Sequence, residues 1–115
     1  MLCVTLPFPP AVLSPNNRSH WRHKAKTFAA HKTICRFLCL EAEIRDLPWC
    51  GASLRLTFCP PSRRTYDADN LVARSKALID GIAAASGIDD SRFELTVARG
   101  CPVKGGAVLA EISPL

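Results

Sequence analysis

The sequence has no Cys-x-x-Cys pair, no long uninterrupted apolar run, no acidic residue ahead of Glu41 and no low-complexity linker or internal repeat. Each absence removes a class of protein. A bilayer-spanning helix takes roughly 18 or more successive apolar residues, and nothing here approaches that, so no membrane is expected. The opening MLCVTLPFPP has no basic leader and meets prolines after a few apolar positions. It does not read as a secretory signal, and the expected location is the cytoplasm. Six cysteines, at positions 3, 35, 39, 50, 59 and 101, therefore read as reduced thiols in a core rather than as a disulfide framework. At 115 residues, 48% hydrophobic and 22% charged, the chain is sized for one core and one domain, 1–115.

What is there is an uneven charge distribution. The net charge is +5, and Arg18, Arg22, Lys24, Lys26, Lys32 and Arg36 all precede the first acid. Such a segment is either a solvated helix face or a surface that tracks phosphates. Five carboxylates, Asp67, Asp69, Asp80, Asp89 and Asp90, lie within residues 64–90 of this basic chain.

Periodicity supplies the framework. CVTL (3–6), stopped by Pro7, Pro9 and Pro10, reads as a first strand. A helix is expected from about Lys24 to Arg45, with Phe28, Cys35, Leu38 and Ala42 on one face and Pro48 beyond its end. SLRLTFC (53–59) alternates as a half-buried strand does. From Asp69 to Ser86, Leu71, Ser75, Leu78 and Ile82 recur at helical spacing, and Gly87 suits a left-handed cap. Phe93, Leu95 and Val97 alternate, and a last strand runs around Ala107 to Ile112. The order β-α-β-α-β-β predicts a two-layer α/β (α+β) domain, two helices over a small mixed sheet whose last two strands form a hairpin.

Each acid has an ordinary use. Asp67 and Asp69 enter a helix, where a cap is worth about 1 kcal/mol. Asp89 and Asp90 lie in a turn, and Asp80 is placed for an i,i+4 pair with Lys76. Together they suggest more. If the later turn brings Asp90 near Asp67 and Asp69, carboxylates about 4 Å apart repel by roughly 4 kcal/mol per pair at an effective dielectric near 20. A divalent cation would remove that cost, and all-oxygen ligands suit Mg²⁺ or Mn²⁺. Lys76 lies seven residues after Asp69, so at about 100° per residue the two project within about 20° of each other.

The sequence resembles the RusA family of Holliday junction endodeoxyribonucleases, particularly phage and prophage members. The resemblance is carried by DADN opening a helix, KALIDGIA within it and GIDDSR in the following turn. LPFPP, SPNNRSHWRHK and KGGAVLAEI extend it over nearly the whole chain. It implies that Asp67, Asp69 and Asp90 bind a catalytic Mg²⁺, with Asp89 a helper. It also implies a homodimer making paired cuts at a four-way DNA junction and leaving 5′-phosphate and 3′-hydroxyl ends. One position departs: where the family's better-known pattern places a lysine, this chain has Ala73, with Lys76 about one turn later and Arg74 beside it.

On this reading Lys76 steadies transition-state charge. Arg63, Arg64 and Arg74 approach phosphates near the cut, while Arg18, Arg22, Lys24 and Lys26 hold the junction arms; Asn16 and Asn17 either hydrogen-bond phosphates or simply form a turn. Trp21, at a helix start, is read first as packing and second as a stacking surface. Two other readings compete. One is a non-catalytic nucleic-acid-binding protein whose acids are only caps. The other is a zinc-stabilised module drawing on His20, His23, His31, Cys35 and Cys39, which lacks the paired spacing of real zinc sites.

Overall fold

The computed structural model describes residues 1–63 and 66–115. Its regular elements are β1 (Leu2–Leu6), α1 (Trp21–Glu41), β2 (Ala52–Cys59), α2 (Ala68–Arg74), α3 (Lys76–Ser86), β3 (Phe93–Arg99) and β4 (Ala107–Pro114), with 3-10 turns at Ala11–Leu13 and Asp90–Arg92. The predicted mixed α+β, two-layer class is what is observed.

Alternation builds the sheet. Leu54, Leu56 and Phe58 of β2 face Ile112, Ala110 and Val108 of β4 in register, and all six are buried. The core cluster joins them to Val4 and Leu6 of β1, to Cys35 and Cys39 of α1, and to Leu71, Leu78, Ile82 and Ala85 of α2 and α3. Each large apolar side chain so buried contributes about 1.5–3 kcal/mol. The intervening residues of β2 and β4 make a mixed outer face, where Arg55 meets Glu111 at 3.9 Å and Leu109 is exposed.

The strand order is β1-β4-β2-β3, which corrects the expected hairpin. β3 pairs with β2 in parallel, and β4 lies on the other side of β2, antiparallel to both β2 and β1. Burial explains the placement. Val108, Ala110 and Ile112 of β4 are fully covered and need neighbours on both sides, whereas Leu95 of β3 remains 39% exposed, as suits an edge. Parallel pairing needs a crossover, and α2 with α3 provides it.

The expected single helix over Asp69–Ser86 is two. Ser75, at φ −94° and ψ 7°, separates α2 from α3. Its buried hydroxyl donates to the Leu71 carbonyl at 2.6 Å, a back-bond that competes with the backbone ladder and bends helices. Gly87 caps α3 in the left-handed conformation, at φ 75°. The last carbonyls of α3 are met from outside by the backbone N–H groups of Asp46 to Ala85 and of Leu47 to Ser86.

Helix α1 begins earlier than expected because His20 caps it, its Nδ1 accepting the Arg22 N–H at 3.1 Å. Only His31, Cys35 and Cys39 of α1 are buried, a narrow stripe lying against α3. There the two backbones nearly touch. A Cβ added at Gly81 would lie 2.8 Å from the Lys32 carbonyl oxygen and 2.9 Å from the Cys35 Cβ. Among the described residues, no helix is long and apolar enough to cross a membrane.

Candidate functional site

Asp67 is the N-cap of α2, its Oδ1 accepting the Asp69 N–H at 3.0 Å. Asp69 stands in the first turn, and both acids are exposed. The neighbouring Asn70 is tied to the basic segment: its Oδ1 accepts a hydrogen bond from the Ser14 hydroxyl at 2.8 Å. The Ser14 carbonyl in turn accepts from Lys24 Nζ at 3.3 Å. Two short contacts therefore bring the cationic stretch and the acidic helix head onto one surface, although more than fifty residues separate Ser14 from Asn70.

Asp90 lies elsewhere on the crossover, in the 3-10 turn that leads into β3. Lys76, the first residue of α3, donates to Asp90 Oδ2 at 2.6 Å and to Asp80 Oδ1 at 2.8 Å. Hydrogen bonds to Asp80 and then to Asp90 hold the lysine pKa well above its ordinary value, so Lys76 stays charged at any physiological pH. Asp80 thus makes the i,i+4 pair its spacing suggests. Asp89 caps the same turn. It accepts from the backbone N–H of Ser91 at 3.2 Å and from the Ser91 hydroxyl, and these bonds lower its pKa.

Along the chain the acidic groups stand at opposite ends of the crossover. Asp67 follows the carboxyl end of β2, whereas Asp90 precedes the amino end of β3, which is in register with the start of β2 at Ala52. Among the described residues, no three His, Cys, Asp or Glu side chains are grouped closely enough to hold one ion. Asp67 and Asp69 offer exposed oxygen donors two residues apart at the head of α2. That pair suits Mg²⁺, which is commonly held by one or two carboxylates and completed by waters and a substrate phosphate. Asp90 is engaged by Lys76 instead.

Two hollows meet at Lys76. One, of about 660 Å³, is bordered by Lys32, Lys76, Asp80, Asp89 and Asp90. The other, of about 450 Å³, lies between α1 and the α2–α3 junction, lined by Leu13, Lys24, Phe28, Ala73, Arg74 and Lys76.

The remaining candidates divide. Asn16, Arg18, Arg22, Lys26 and Arg63 are exposed, and Lys24 is half-buried. Asn17 serves its turn, its Oδ1 accepting the Ser19 N–H at 2.9 Å. Arg64 lies outside the described residues. Arg74, expected to reach phosphate, is only 7% exposed. It donates to the Pro9 carbonyl at 2.5 Å and lies 5.4 Å from the centroid of Phe8, so in this arrangement it anchors the N-terminal loop rather than facing solvent. Trp21 departs from its expected packing role, being 67% exposed. His31, Cys35 and Cys39 lie in the seam with α3, where burial pushes both thiols up to about 12. Arg99 was missed by sequence reading. It donates to the Tyr66 carbonyl and shares with Arg63 a hollow of about 210 Å³ beside the acidic helix head. No local sequence signal marks it: its place follows from the parallel pairing, which sets the carboxyl ends of β2 and β3 side by side.

No family model matches the chain. It is similar to an uncharacterized protein of Xylella fastidiosa (strain Temecula1), 40% identical over 101 residues, covering 81% of this chain and 63% of that protein. The chain thus spans somewhat less than two thirds of that relative's length.

Proposed function

We propose that the protein is a Mg²⁺-dependent endodeoxyribonuclease that resolves four-way DNA junctions as a homodimer, in the manner of the RusA family that its motifs resemble. The observation that carries the reading is the joining of opposite charges. An exposed acidic pair, Asp67 and Asp69, is linked through Asn70 and Ser14 to a segment with no acid of its own. Cations attract and align a polyanion, while the acids among them cannot serve that purpose and are suited to an ion.

Asp67 and Asp69 are the proposed ligands. Mg²⁺, or Mn²⁺ in its place, would polarise the scissile phosphate and lower the pKa of an attacking water. Arg63, and with it Arg99, would receive phosphates beside the helix head. Arg18, Arg22, Lys24, Lys26, Asn16 and Asn17 would hold the arms through contacts that position the duplex without reading its sequence. The charged Lys76 would steady negative charge developing on phosphate. For Asp90 to join the ion, it must exchange Lys76 for the acidic pair. Its contribution is therefore the most conditional on rearrangement, and Asp90→Asn tests it separately from Asp69→Asn.

Exposed Ile34 and Phe37 on α1 are the proposed contact between the two copies. A two-fold dimer matches a substrate with two strands to cut. The six free thiols, three of them exposed, agree with a cytoplasmic location.

A second reading, a DNA-binding protein without activity, is favoured by the employment of Asp67 as a cap and of Asp90 as a lysine partner. A synthetic four-way junction separates the two. The nuclease reading expects Mg²⁺-dependent paired nicks with ligatable ends. Tight binding with no cutting in either Mg²⁺ or Mn²⁺ would leave the second reading in its place.

A further inference from the structure

We infer that Trp21, backed by His20 and flanked by Arg22, is a stacking platform for one unpaired nucleobase. The inference takes its ligand class from the proposed action on DNA and adds to it a specific recognition surface.

The first observation is exposure. Trp21 opens α1 with 67% of its surface in solvent, more than the exposed Phe37, although the indole is among the side chains that gain most from burial. It does not cover the core cluster, which is complete without it. The second is order. The His20 ring stacks on Trp21 with centroids 5.7 Å apart and planes inclined by 28°. His20 is itself fixed, because its Nδ1 accepts the Arg22 N–H that caps the helix. The Arg22 guanidinium lies 5.3 Å from the indole centroid. The indole is thus held by neighbours on an ordered helix start, so a ligand need not order it on binding.

The third is charge. The Arg22 guanidinium lies over the ring, and Arg18 and Lys26, within five residues of Trp21 in the sequence, are exposed cations as well. A second copy of this surface would be repelled by it. An acidic peptide would satisfy the cations but has no flat π-face to offer the indole. A single-stranded nucleotide satisfies both, placing its base on the ring and its phosphate toward Arg22. This is the usual combination of cationic track and aromatic stack in single-strand recognition. In a closed duplex every base is already stacked, so the platform would select strands opened at a branch point.

The test uses Trp49→Phe, which leaves Trp21 as the only tryptophan of the two. Its fluorescence is followed on adding oligothymidylate, a duplex of equal length, polyglutamate, or a four-way junction with and without unpaired bases at its centre. Saturable quenching by oligothymidylate and by the open junction, with much less by duplex or polyglutamate, is expected. Trp21→Ala should weaken oligothymidylate binding roughly tenfold and Trp21→Phe much less, as a stacking contact requires. Equal quenching by polyglutamate, or unchanged binding by Trp21→Ala, would overturn the platform. Junction cleavage in Mg²⁺ is scored in parallel. Cutting without quenching removes the platform and leaves the nuclease, whereas quenching without cutting does the reverse.

Discussion

The seam between α1 and α3 and the surface around the head of α2 are built on opposite terms. In the seam, Cys35, Cys39, Leu78 and Gly81 are enclosed, and shape decides everything: a single added Cβ at Gly81 meets backbone. Its ionisable groups are kept neutral, with the thiols of Cys35 and Cys39 pushed up to about 12 and the imidazole of His31 pushed down by burial. On the surface, Asp67 and Asp69 are exposed at the helix head, and Lys76 pairs with the half-buried Asp90. Their interactions are individually weak in water. The seam holds the fold, whereas the surface carries the charged groups of the proposed activity and contributes little to the fold.

Substitutions on both sides can break that contrast. Leu78→Ala, which empties a fully buried position, should cost about 2–5 kcal/mol in denaturant unfolding. Gly81→Ala gains helix propensity but forces α1 and α3 apart, for a net loss of about 1–3 kcal/mol; no loss would show that the helices do not meet as closely as described.

A smaller effect comes from His31, only 5% exposed, for whose Nε2 no hydrogen-bond partner is found among the described residues. Its folded pKa lies below the ordinary 6.5, so on acidification the unfolded chain takes up the proton first. Stability should therefore fall as pH drops below about 6.5, by at most about 1.4 kcal/mol per pH unit. His31→Leu should flatten that part of the profile, and an unchanged slope would assign it to other groups. Smallest of all, Lys76→Ala should shift stability by less than about 1 kcal/mol, since more than half of the lysine side chain is in solvent, while lowering junction cleavage steeply.

How far the sequence reaches follows the same division. Alternation in SLRLTFC and FELTV located β2 and β3, and Gly87 marked the end of α3, because these signals are local. The neighbours of β4 were not legible. They depend on how completely Val108, Ala110 and Ile112 are covered, and a short connection from β3 made a hairpin look natural. The break at Ser75 was hidden because the apolar stripe continues through it, and the interruption is a hydroxyl bond to Leu71. Arg74 looked like a surface cation because sequence does not show that its head folds in against Pro9 and Phe8. The acids were legible one at a time as caps and turn formers. The link from Asn70 to Ser14, and the engagement of Asp90 by Lys76, are long-range facts that no window of the sequence contains.

The central claim is that the acidic helix head does chemistry that the fold does not need. The most direct measurement is the rate of four-way junction cleavage in Mg²⁺ by Asp69→Asn beside wild type, with the unfolding temperature of each protein recorded. Cleavage by wild type is expected, with a loss of at least a hundredfold in the variant and unfolding temperatures within about 3 °C of each other. Cleavage by Asp69→Asn at the wild-type rate would contradict the claim, as would a loss of cutting that merely follows a loss of folded protein.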